Sequence, residues 1–142
     1  MVACTFKSPS GTIDQMQKRV DAVERQVEAL YNHEFNDLVN DYQALDTTIA
    51  RTKDIGEEML LLQAYLQQFE SQRVVIKENI AYSRQQLSDL QEDIDKNLYD
   101  DETQAKYIQD EEGVLRMMEA QIKYFQEKFD AQKEVVKQLR KE

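Results

Sequence analysis

Oxygen-bearing side chains with the spacing of a cation-binding loop lie in an acidic stretch from Asp89 to Glu112. Counted from the first of them, they occupy the first, third, fifth and ninth places: Asp93, Asp95, Asn97 and Asp101. Loops that bind Ca²⁺ between two helices place oxygen ligands at these positions. They also need a glycine at the sixth place and a bidentate glutamate at the twelfth, where this chain has Leu98 and Gln104. We therefore predict a solvated acidic surface and no tight Ca²⁺ site.

Residues suited to nucleophilic or zinc chemistry are few. The chain has one cysteine, Cys4, and one histidine, His33. A catalytic nucleophile needs a base within hydrogen-bonding reach and a third group that orients that base, and a zinc site needs a cluster of ligands. His33 lies between Asn32 and Glu34 on a polar stretch, so we predict that it is exposed. The sequence thus predicts a protein without catalytic residues, cofactor or metal.

The net charge limits the class of partner. It is −10 at pH 7, which favours solubility and opposes nucleic-acid binding, because phosphate recognition needs a basic surface. The basic residues near the C terminus, from Lys123 to Lys141, alternate with acidic ones such as Glu127 and Glu134. Such alternation is typical of a solvated helix face. We predict no nucleic-acid partner.

The composition is typical of long helices. Hydrophobic residues make up 41% and charged residues 32%, with three glycines and one proline. Apolar residues recur at alternating steps of three and four, the spacing of one helix face. The longest apolar run, from Met59 to Leu62, is far shorter than the roughly 20 residues of a membrane-spanning helix.

Three helical segments are predicted, at about 12–53, 57–98 and 101–142. The first begins at Thr12, with Gln15 as its capping-box partner. Its apolar stripe contains a step of eleven residues from Val27 to Leu38, which we interpret as a stutter that leaves the helix unbroken. The Asp54–Gly56 segment is the predicted first turn. The second lies between Asn97 and Glu102, where Asp100 or Asp101 supplies the cap of the third helix.

The stripes predict how the segments pack. A reversal near Asn97 to Glu102 places Ile94 opposite Ile108 and Leu87 opposite Leu115, because antiparallel helices rise equally per residue. The predicted fold is all-α, a three-helix up-down-up bundle or coiled coil spanning 12–142, preceded by a flexible tail at 1–11. The alternative is one very long helix over 12–98 with the third helix folded back on it. That arrangement exposes the first stripe and would require a dimer.

The first residues carry a resemblance to a known family. Met1-Val2-Ala3-Cys4, followed by a Ser/Pro/Gly stretch, resembles the lipobox of bacterial lipoproteins. The resemblance implies cleavage before Cys4, lipidation of Cys4, and a flexible tether in the cell envelope. The charged and apolar regions of a signal peptide do not precede Cys4 in this sequence. A disordered N terminus of a cytoplasmic protein is the other interpretation of these residues.

Two functions follow as expectations. The first is a non-enzymatic helical scaffold or adaptor that binds another protein, or a second copy of itself, through a helical face. The second is a cell-envelope lipoprotein whose coiled-coil body acts as a periplasmic spacer or chaperone-like holder, with membrane contact only if Cys4 is lipidated. A candidate interaction tip for a basic partner lies at the second turn and comprises Asp93, Asp95, Asp100, Asp101 and Glu102.

Overall fold

The computed structural model describes residues 8–49 and 56–140, and for 46–49 and 56 the backbone alone. Helices α1 (Pro9–Ala29) and α2 (Asn36–Ile49) are joined by a π-helical turn at Leu30–Phe35. Helices α3 (Gly56–Asp95) and α4 (Asp101–Arg140) have 40 residues each. Within these ranges there is no strand. The prediction of an all-α fold is confirmed.

Helix α1 begins at Pro9, three residues before the predicted start at Thr12. The Gly11 N–H donates to Ser8 Oγ at 3.1 Å, and the Thr12 N–H donates to the Ser8 carbonyl oxygen at 3.0 Å. Ser8 is therefore the N-cap, and Pro9 takes the first helical position, where its missing N–H costs nothing. Residues 9–11, predicted to belong to a tail, are helical. Cys4 and the rest of the lipobox-like motif lie outside the described residues.

The π-helical turn coincides with the eleven-residue step in the apolar stripe. Leu30, Tyr31 and Phe35 are buried within it. A π turn holds more residues than an α turn, so the helix accommodates the irregular spacing without a break. The helix is continuous from Pro9 to Ile49, as the stutter predicted.

Helix α3 ends at Asp95, before the predicted end at 98, because Asn97 adopts a left-handed backbone with φ of 54°. The Leu98 N–H donates to the Asp93 carbonyl oxygen and the Asn97 N–H donates to the Ile94 carbonyl oxygen, both at 3.0 Å. These are the two hydrogen bonds of a Schellman motif, in which asparagine is one of the few residues besides glycine that tolerates the left-handed position. The chain then enters α4 at Asp101.

The chain divides into two compact units. The first, here called the tip unit, comprises Met1–Glu24 and Lys77–Ala120. In it, α1 runs antiparallel to α3, because Ser10 pairs with Gln91 while Asp21 pairs with Arg84. Three helical segments supply its buried apolar side chains, which are Ile13, Met16, Val20, Val23, Ile80, Leu87, Leu90, Ile94, Leu115 and Met118.

The second, here called the aromatic unit, comprises Arg25–Ile76 and Gln121–Glu142. Its core is built on Phe69 of α3 and Phe129 of α4, whose rings stack with centroids 4.2 Å apart. The rings of Tyr31 and Phe35 meet Phe129 edge-on, and Phe125 meets Phe69 edge-on. Helices α2 and α4 run parallel, since Glu34 pairs with Lys133 and Asp41 with Arg140.

The alternative of one continuous helix over 12–98 is wrong. The Tyr31 hydroxyl donates to the Phe69 carbonyl oxygen at 2.7 Å, although the two residues are 38 positions apart in sequence. In one continuous helix they would lie about 57 Å apart. The turn predicted at Asp54–Gly56 also implied that Tyr42 would lie opposite Phe69. That pairing is wrong, because Tyr31 lies beside Phe69. Gly56 begins α3, while Asp54 and Ile55 lie outside the described residues. Among the described helices, none is long and apolar enough to cross a membrane.

Candidate interaction surface

The predicted tip carboxylates are engaged by separate local partners. Asp100 caps α4, since its Oδ1 accepts the Thr103 N–H at 2.8 Å. The Thr103 side chain and then its N–H, both by hydrogen bonding, lower the pKa of Asp100. Asp93 accepts the Tyr99 hydroxyl at 3.0 Å, which raises the pKa of Tyr99. Asp95 accepts the Gln91 side-chain amide at 2.9 Å. These three side chains therefore stabilise the helix ends and the turn between them.

The remaining tip residues, Asp101 and Glu102, are exposed in the first turn of α4. There they complement the positive end of the helix dipole. In the described part of the chain, no group of three or more His, Cys, Asp or Glu side chains is arranged to hold a metal ion. His33 is exposed, as predicted.

An ion-pair cluster joins α1 to α4 inside the tip unit. Arg19 lies 2.6 Å from a carboxylate oxygen of Glu112 and 2.6 Å from one of Glu119. Glu112 also accepts a hydrogen bond from Arg116 at 3.0 Å. The guanidinium of Arg19 is the main cause that holds the pKa of Glu112 below its ordinary value. Sequence periodicity could not identify this cluster, because each of its members is a polar residue on an otherwise solvated face.

An open cleft of about 640 Å³ lies beside the start of α1 in the tip unit. Pro9 and Thr12 line it from α1, and Asp101, Ile108 and Glu112 line it from α4. Ile108 belongs to the predicted apolar stripe but is only half-buried, because α1 begins level with it. The cleft is shallow and combines apolar and acidic walls.

Large apolar side chains are exposed in both units, all on helices except Leu98, which lies in the turn between α3 and α4. The tip unit exposes Tyr82, Leu98, Tyr107, Val114 and Met117. The aromatic unit exposes Leu60, Leu61, Val74, Val75 and Tyr124. Tyr82 and Tyr124 both project outward from helices whose inward positions are already filled.

The described side chains thus form two kinds of exposed surface, apolar helix faces and an acidic tip. The tip unit has 15 acidic and eight basic residues in sequence, whereas the aromatic unit has 13 and ten. Most of the net negative charge therefore belongs to the tip unit. No protein-family model, curated protein or solved structure matches the chain.

Proposed function

We propose that the protein is a non-enzymatic helical scaffold or adaptor that binds another protein through an exposed helix face. One observation carries the proposal. In the aromatic unit, α3 buries Met59, Leu62, Leu66 and Phe69 inward and still exposes four aliphatic side chains outward: Leu60, Leu61, Val74 and Val75. Exposed apolar area of this kind on a helix with a complete core typically marks an interaction surface.

The mechanism is the packing of one amphipathic face on another. A partner helix that covers Val74 and Val75 removes their apolar area from water, and that burial provides the favourable free energy. Exposed Glu70, one turn before Val74, contributes to a polar rim that fixes orientation more than it adds affinity. No bond is made or broken in this function.

Site-specific photo-crosslinking tests the proposal. A photoreactive phenylalanine analogue is placed at Val75 or Leu61, and the same analogue at exposed Asp37 serves as the control. After irradiation in lysate of the native source, we expect one defined protein to be attached at Val75 and Leu61 and none at Asp37. Equal labelling at all three positions, or labelling at none, contradicts the proposal. An adduct of twice the chain mass identifies self-association instead.

A lipidated envelope protein is the second candidate, supported by the lipobox-like residues before Cys4. Because Ser8 caps α1, only Thr5, Phe6 and Lys7 separate Cys4 from the helical body. A lipid on Cys4 would hold that body within roughly 10–15 Å of the membrane surface. Mass spectrometry of the N-terminal peptide from the native protein tests this. A diacylglyceryl mass on Cys4, absent from the Cys4→Ser variant, supports it, and an unmodified cysteine excludes it.

A further inference from the structure

Gly113 lies in the first half of α4, and no contact among the described residues requires glycine at that position. It is helical and exposed, and a Cβ atom added to it would meet nothing within 4 Å. Glycine in a helix interior costs about 1 kcal/mol relative to alanine. Close approach of a backbone from outside the chain is a physical reason for omitting a side chain at such a position.

The neighbours of Gly113 on the helix surface form an apolar patch. Asp110 lies three residues before Gly113, and Met117 lies four residues after it, so both are its neighbours on the helix surface. Val114 is four residues from Asp110 and three from Met117, and Tyr107 is seven residues before Val114, which places them on the adjoining side. Met117 is 73% exposed, the highest value among the large apolar side chains that the structure describes, and Val114 and Tyr107 are exposed as well. We call Tyr107, Asp110, Gly113, Val114 and Met117 the Gly113 face.

The charge around the Gly113 face indicates what kind of partner it fits. It belongs to the tip unit, where acidic residues outnumber basic ones by 15 to eight. Residues 101–120 of α4, which include the face, have six acidic residues against two basic ones, Lys106 and Arg116, and Arg116 is paired with Glu112. A field of that sign accelerates the approach of a basic partner and disfavours an acidic one. A second copy of this chain would bring the same negative charge to the contact.

We infer that the Gly113 face binds an amphipathic helix that carries lysine or arginine beside its apolar stripe. The partner helix crosses α4 at Gly113, where the absence of a side chain lets the two backbones approach closely. Its apolar residues cover Val114 and Met117, and its basic residues lie over Asp110 and the neighbouring tip carboxylates. The inference rests on the proposed scaffold function and specifies the partner's chemistry for the tip unit.

Binding of a designed peptide tests the inference. The probe is a labelled peptide of three Leu-Ala-Lys-Lys-Leu-Ala-Lys heptads, and its counterpart with glutamate for lysine is the charge control. Fluorescence anisotropy is measured on the full chain, on Gly113→Gln and on Met117→Gln. Ala131→Gln, at an exposed position elsewhere on α4, is the matched control. We expect both face variants to weaken binding by at least about tenfold, the control variant to bind normally, and the glutamate peptide not to bind.

Loss of folding cannot imitate this result. The space around Gly113 is open, so Gly113→Gln should melt at or above the temperature of the unchanged chain, which circular dichroism checks. Lysine-peptide binding that all three variants leave unchanged overturns the inference, as does the absence of binding. A dimeric chain that Gly113→Gln makes monomeric also overturns it, in favour of a second copy. None of these outcomes affects crosslinking at Val75 and Leu61, so failure here is distinguishable from failure of the proposed function.

Discussion

Tyr31 combines a buried ring with a polar group that must stay neutral. Its side chain is 1% exposed, and its hydroxyl hydrogen-bonds to the Phe69 carbonyl oxygen. Arg73 lies over its ring, with the guanidinium carbon 5.5 Å from the ring centre.

Burial, the largest cause, raises the pKa of Tyr31 to about 12, whereas the pKa of tyrosine in an unfolded chain is about 10. The contribution of neutral Tyr31 to the free energy of unfolding is therefore complete below about pH 10. It is lost as the pH rises towards about 12, because in that interval Tyr31 ionises only in the unfolded chain. We expect Tyr31→Phe to lower the free energy of unfolding by about 1 kcal/mol at neutral pH. In alkali this difference should disappear or reverse.

Urea unfolding of both proteins between pH 8 and pH 12 measures this effect, with exposed Tyr82→Phe as the control. A Tyr31→Phe difference that is constant across the range would show that the hydroxyl does not resist ionisation. The control variant should track the unchanged chain at every pH.

Ser83 is a buried serine in the described core. It is 1% exposed, and its Oγ has no hydrogen-bond partner among the described residues. Ser83→Ala should raise the free energy of unfolding by about 1–2 kcal/mol, because it removes a desolvated polar atom and improves helix propensity. Exposed Ser88→Ala on the same helix changes propensity alone. Chemical unfolding that gives equal gains for both variants would contradict the buried-hydroxyl explanation.

At the scale of the helices, two glycines near exposed surfaces should respond differently to the same substitution. Gly113→Ala should raise the free energy of unfolding by about 1 kcal/mol, because the added methyl group meets open space and the unfolded chain loses freedom. Gly11→Ala should give less or a loss, because its Cβ would lie 3.2 Å from the capping oxygen of Ser8. Thermal melts compare the two. A larger gain at Gly11 than at Gly113 would contradict the role of Ser8.

Helix identity was predictable from the sequence, and helix ends were less so. The three-and-four spacing identified nearly every buried position of α3 and α4, since a helix can bury only one stripe. The ends depend on single hydrogen bonds. The start of α1 depends on the cap by Ser8, and the end of α3 depends on the left-handed conformation of Asn97. Each is a property of a single residue, so apolar periodicity does not predict it.

Pairing between helices was also only partly predictable. The connection of α3 to α4 is short, so its location sets the register closely. The other predicted turn, at Asp54–Gly56, is marked less clearly in the sequence, so the register it implied was less certain, and Tyr31 rather than Tyr42 lies beside Phe69.

For the whole molecule, the net charge of −10 opposes folding by self-repulsion. At pH 7, raising NaCl from about 10 to about 300 mM should raise the melting temperature, because salt screens this repulsion. Near pH 4.6, the sequence isoelectric point, the net repulsion is absent, and the same salt increase should have little or opposite effect. Thermal melts followed by circular dichroism at the two pH values measure this change in melting temperature. An equal rise at both would contradict electrostatic repulsion as the cause.

The candidate interaction surface shows what the sequence could and could not predict. The acidic tip was visible in composition, but the structure assigns Asp93, Asp95 and Asp100 to turn and cap hydrogen bonds. A test for a basic partner at the tip by charge reversal should therefore replace Asp101 and Glu102. Replacing Asp100 would remove the cap of α4. The Gly113 face was missed because an exposed stripe beside a core stripe resembles a broadened core face until the packing is known.

The π-helical turn at Leu30–Phe35 has a consequence for how the chain's length can change. Such a turn holds about one residue more than a turn of regular α-helix, so it is equivalent to an α-helix with one inserted residue. Deletion of exposed Asn32 should therefore close the turn to α geometry and keep Val27 and Leu38 on their buried faces. Deletion of exposed Glu78, inside regular helix α3, should instead rotate one flank by about 100° and unfold the chain. Loss of one residue at this turn should thus leave the fold intact.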